Sequence, residues 1–182
     1  MDESHLVWAD ASGTGRDRLV VTYRAGQITA TGHVDGPEGT RFEVDYRVEC
    51  DESWRTRLVR ISDADTGRRV VLRANGAGRW TDDDGAALPF LNGAIDVDIS
   101  ATPFTNTLPI RRLGLAVGDS ADITTAYVAV PELTVSADPQ RYTRIAGKTY
   151  RFTSLDSDFV RDITVDDNGF VLRYPGLFRR LP

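Results

Sequence analysis

The 182 residues fit one domain and are tight for two, and an apolar fraction of 41 % is enough for one core. A net charge of −5 argues against general nucleic-acid binding, while one cysteine and two histidines exclude an internal disulfide and the usual Cys/His zinc sites. No apolar run approaches the ~20 residues that span a bilayer, and the acidic start Met1-Asp2-Glu3-Ser4-His5 is not followed by an apolar core, so a cytoplasmic location is expected.

In chain order, short runs of period-two alternation recur, each ending in turn residues. Residues 19–23 are β-branched and aromatic, and residues 27–34 follow the turn at Ala25-Gly26. The clearest strand is 42–49, with Phe42, Val44, Tyr46 and Val48 on one face and Glu43, Asp45, Arg47 and Glu49 on the other. Residues 54–61 start with Trp54, Thr56 and Leu58 on one face, but Val59 and Ile61 lie on the opposite one, which predicts a bulge or burial on both sides. After Asp65-Thr66-Gly67 comes a strand over 70–73, and Asn75-Gly76 then predicts a tight reversal.

Ile95, Val97 and Ile99 alternate with Asp96 and Asp98, which places the two acids on a wet face. Thr107 could cap a short helix ended by Gly114, with Pro109 in its first turn. Residues 123–130 are apolar on both faces, as in a central or doubly covered strand. Tyr150 and Phe152 share a face. Ile163 and Val165 lead through Asp166-Asp167-Asn168-Gly169 into a return strand of Phe170, Leu172 and Tyr174.

The stretches at about 40–75 and 145–175 look alike. Each reads as three strands in the same order, with Tyr46-Arg47-Val48 matched by Tyr150-Arg151-Phe152. As repeats they would flank a central segment, 93–115, and wrap one curved sheet around a shared apolar interior. The fold class is therefore all-β: a single-domain, curved antiparallel sheet with minimal helix. Lys148 is the only lysine, so nearly all positive charge is arginine. This reflects either a GC-rich genome or guanidinium forks that hold carboxylates or phosphates.

The run DVDISATPFTNTLPIRRL, residues 96–113, is the most specific feature of the chain. Together with Trp54-Arg55-Thr56-Arg57, Asn75-Gly76-Ala77-Gly78-Arg79-Trp80, Gln140-Arg141-Tyr142 and Tyr174-Pro175-Gly176-Leu177-Phe178, it resembles the bacterial putative glycolipid-binding family. Members often have Cys where this chain has Ala94, which removes that position as an essential thiol. The resemblance implies a rolled, half-open barrel or spiral β-roll, similar in shape to bacterial lipid and lipoprotein carriers, with an apolar groove for a lipid or glycolipid.

The candidate ligand-binding residues are Trp54, Arg57, Asp96, Asp98, Thr105, Asn106, Arg111 and Arg112. Strand geometry sets Asp96 and Asp98 roughly 6–7 Å apart, a spacing that an inverting glycosidase could use. A charged network with Arg111 and Arg112 is the competing reading. Thr102, Thr105, Asn106 and Thr107 suit either a self-satisfied turn or a polar rim for a sugar. Each tryptophan reads as core or as a stacking surface.

No nucleophile elbow and no Gly-rich phosphate loop occurs. The expectation is a non-enzymatic protein without cofactor or metal, holding an apolar tail in the groove beneath a Thr/Asn/Arg rim. The alternatives are a structural or interaction protein without a small ligand, or a glycoside-acting enzyme.

Overall fold

The structure, a computed structural model, describes residues 2–39 and 42–182. Met1 lies outside the described residues, as do Thr40 and Arg41 at the start of the first look-alike stretch. The first seven strands are β1 (Asp2–Asp10), β2 (Arg16–Arg24), β3 (Gln27–Asp35), β4 (Glu43–Asp51), β5 (Thr56–Asp63), β6 (Arg69–Ala74) and β7 (Trp80–Thr81). The second seven are β8 (Asp96–Ile99), β9 (Ser120–Ala129), β10 (Thr134–Ala146), β11 (Thr149–Ser154), β12 (Val160–Val165), β13 (Val171–Tyr174) and β14 (Phe178–Arg180). Helix is confined to 3₁₀ turns at Pro89–Leu91 and Pro103–Asn106 and to α1 (Thr107–Leu113). The left-handed Gly114 ends α1, as its sequence predicts.

All the strands join one curved, unclosed sheet in the order β7-β6-β5-β4-β3-β2-β1-β14-β13-β12-β11-β10-β9-β8. Each spatial neighbour is also a sequence neighbour except at the centre, where β1 pairs with β14 through Trp8–Asp10 and Phe178–Arg180. Neighbours are antiparallel apart from β8 and β9. That parallel pair needs a long crossover, and the central segment with α1 supplies it. Pairs such as Arg151 with Asp162 and Arg141 with Asp122 sit directly opposite on the exposed faces of neighbouring strands.

Local alternation explains most strands. In β4, Val44, Tyr46, Val48 and Cys50 point inward. The bulge foreseen in 54–61 is present: the register shifts between Glu49 and Cys50, leaving Arg57 as the extra residue and both Leu58 and Val59 buried. The strand starts at Thr56, later than expected, because Trp54 adopts a left-handed φ of 64° in a turn closed by Asp51 and Arg55. The Asn75 and Asn168-Gly169 reversals form as predicted, with the Asn75 side chain accepting from Ala77 and Arg79.

The return strand differs. A register shift at Thr164/Val165 turns Val171 inward and leaves Leu172 exposed. The strands β1, β10 and β14 have no clear sequence signal. In β10, Pro139 and polar neighbours interrupt the apolar pattern, and the strand is paired with β11 only from Gln140 onward.

The roll closes on its own chain. Every residue from 101 to 110 is buried, and Val97, Phe104 and Leu108 pack among Trp8, Tyr46 and Trp80. A second cluster gathers Ile110, Tyr142, Phe152 and Val165 under the other half of the sheet. Buried polar links fasten the segment: Trp80 Nε1 donates to Ala94 O at 2.8 Å and Val97 N to Thr56 Oγ1 at 3.1 Å.

Gly32 sits opposite Tyr46, and a Cβ there would meet the ring at 2.2–2.4 Å. Gly32→Ala must displace this buried ring, so an overpacking cost of about 1–3 kcal/mol is expected. Urea denaturation checks it: an unchanged midpoint would show that the ring yields freely.

Candidate functional site

Three polar clusters surround the central segment. In the first, Asp17 lies on the inward face of β2 with Leu19 and Val21. Tyr46 Oη donates to its carboxylate at 3.0 Å and Thr102 Oγ1 at 2.5 Å. Burial without a paired cation pushes this acid up to about 7, against the pull of both hydrogen bonds.

In the second, Asp96 is fully buried and the Arg112 guanidinium grips it with two nitrogens, Nε at 3.0 Å and Nη2 at 2.6 Å. Burial raises this carboxyl and Arg112 opposes the rise. In the third, Asp98 accepts from Thr105 Oγ1 at 3.0 Å and Gln140 Nε2 at 2.7 Å. The same Gln140 nitrogen also donates to Asp138 at 2.6 Å. Burial raises both Asp98 and Asp138.

The third cluster opens into a cavity of about 370 Å³ between the central segment and the second half of the sheet. Asp98, Asp138 and Asp156 supply carboxylates to its wall, while Asn106, Tyr127 and Tyr174 supply amide and hydroxyl groups. Asn106 donates to Tyr142 Oη at 2.8 Å behind the wall. Phe152, Phe159 and Tyr174 form an aromatic side, their ring centroids 5.8–6.3 Å apart. Leu177, an exposed leucine, also lines the cavity. Such a wall can accept hydrogen bonds from hydroxyls or ammonium groups and stack on an apolar ring face.

The eight candidate residues do not converge. Asp98 and Asn106 line the cavity, and Thr105 supports Asp98 from behind. The wet face expected for Asp96 and Asp98 is corrected: Asp96 is sealed inside by Arg112 and Asp98 is partly buried, because β8 is drawn into the roll. This also leaves them in separate hydrogen-bond clusters instead of a shared catalytic cleft.

The Thr/Asn/Arg rim is corrected as well. Thr102, Thr105, Asn106 and Thr107 are buried, and the arginines turn elsewhere. Arg111 lies over the buried Trp54 ring at 5.2 Å and donates to Asn168 O at 3.3 Å, while Arg57 is exposed and donates to Asn75 O at 2.7 Å. Among the described residues, Phe104 and Leu108 pack into the core at the centre of the roll, where the apolar groove was expected.

Gln140, Asp138, Asp156 and Phe159 were not legible as site residues. Strand phase carried part of the signal, since Asp138, Gln140 and Tyr142 share a face once 134–146 is known to be one strand.

A family model described as "Putative glycolipid-binding" matches residues 5–180. The chain belongs to this family. The resemblance read from residues 96–113 and the flanking pieces thus extends over nearly its whole length. No curated protein matches the chain. Among solved structures it is similar to the crystal structure of a DUF1089 family protein from Pseudomonas aeruginosa. The two are 36 % identical over 92 % of each chain, with a TM-score of 0.80. The glycolipid-binding family description is one of binding and names no reaction. Among the described residues no helix is long and apolar enough to cross a membrane.

Proposed function

We propose that the protein binds a glycolipid by its headgroup, seated in the cavity between the central segment and β9–β14, without turning it over. The observation that carries this reading is the meeting, in one cavity, of carboxylate acceptors with the aromatic side chains of Phe152 and Phe159. Sugar hydroxyls donate to carboxylates, and the apolar face of a sugar ring packs on an aromatic side chain. The family description supports the same ligand class. The filled roll leaves the tail outside, where its first methylenes would rest on the exposed Leu177, which lines the cavity. Each CH₂ covered contributes about 0.8 kcal/mol.

Mass spectrometry of an organic extract of the purified protein tests the reading, with a lipid bearing a sugar headgroup expected near one per chain. An empty extract together with no heat of binding on titration with octyl glucoside would overturn it and favour a structural role without a small ligand.

A further inference from the structure

Resting on that reading, we infer that the headgroup taken by this cavity carries a positive charge, as an amino sugar does. The wall holds Asp98, Asp138 and Asp156, and no Arg, Lys or His among the described residues lines it. On the aromatic side the Arg161 guanidinium lies over Phe159 at 4.5 Å and donates to Pro175 O and Val160 O, so it does not neutralise the acids by a hydrogen bond. Asp156 is held by Ser154 Oγ at 2.7 Å, a neutral donor. Asp98 and Asp138 share the two hydrogens of one neutral amide, that of Gln140. Even a partly buried carboxylate, as Asp98 and Asp138 are, loses hydration without an opposite charge, and the cost falls when a cation binds beside it.

A second observation points the same way, in the kind of cation that the wall fits. A bare metal ion does not fit, because no three acidic, His or Cys side chains among the described residues are grouped closely enough to hold one. Acids spread around a wall suit a larger organic cation that also meets aromatic faces, and Phe152, Phe159 and Tyr174 offer these. A phosphate or carboxylate headgroup would meet the like charge of three lining carboxylates and no lining cation among the described residues.

Calorimetric titration of the full chain at pH 7 with three octyl glycosides of equal chain length tests this. They are the glucoside, the 2-amino-2-deoxyglucoside, and the latter N-acetylated. The amine is expected to bind at least about tenfold tighter than the two neutral compounds, equivalent to about 1.4 kcal/mol. Asp138→Asn and Asp156→Asn should each lower that ratio. Asp156 is exposed, so its variant is informative even if the Asp138 change disturbs folding. Equal affinity for all three would overturn the inference and leave the glycolipid reading standing. Binding of octylammonium without binding of any glycoside would keep the charge preference and overturn the glycolipid reading. No binding of any of the four would overturn both.

Discussion

Replacing Arg112 with alanine is expected to lower stability by about 3–5 kcal/mol at pH 7, roughly 6–20 °C in Tm for a chain of this size. Asp96 has no exposed surface, and its carboxylate is held by two Arg112 nitrogens. Without them a buried charge stands alone, and the coulombic attraction that offset its desolvation is gone. Its remaining escape is to take up a proton. Burial already raises this carboxyl against the pull of Arg112, so the variant's folded pKa lies further above the unfolded value. A carboxyl with a raised folded pKa gains stability as pH falls, so the deficit should narrow at pH 5. Thermal unfolding at both pH values decides the matter. An equal Tm loss at pH 5 and pH 7 would assign the effect to packing instead of charge. The double change Asp96→Leu/Arg112→Leu should recover most of the loss, since an apolar pair of similar volume is often as stable as a buried ion pair.

Stability of the unaltered protein should fall as pH rises from about 5 to 8, and Asp17→Asn should remove most of that slope. The Asp17 carboxyl titrates near 7 in the folded chain against 3.8 as its ordinary value. Between these values the folded state holds a proton that the unfolded state has released, so stability declines with rising pH. Three units correspond to about 4 kcal/mol. Neutral asparagine can still accept from Tyr46, so the variant should be the more stable protein at pH 8. His33, raised by Asp45, adds a small slope of the same sign, as do the burial-raised Asp96, Asp98 and Asp138. Melting curves at three pH values for both proteins are the check, and parallel slopes would exclude Asp17 as the titrating group.

The β class, the reversals at Asn75-Gly76 and Asn168-Gly169, the bulge before Leu58 and the helix Thr107–Leu113 were all legible in the sequence. Each depends on residues within a few positions of one another, where a period of two or a positive φ leaves a local mark, although the Thr107 cap expected for the helix does not form, since Asn106 holds that position without a side-chain hydrogen bond. The family was legible for a related reason, since residues 96–113 are specific as a string. Only the tertiary structure decided which polar groups are buried. Thr102 reaches Asp17 across 85 positions, and Gln140 reaches Asp98 across 42, and no local pattern encodes such a pairing. Asp17, between Arg16 and Arg18, has the composition of a surface strand, yet its phase with Leu19 and Val21 faces it inward. The central segment, polar enough to read as a rim, is enclosed because the sheet curls over it, and its hydroxyls and amides find partners on strands far away in the chain. Side-chain chemistry and the phase of most strands were thus set locally, with the return strand at Val171 an exception made by its pairing, whereas exposure was set by the curvature of the sheet, a property of all its pairings together.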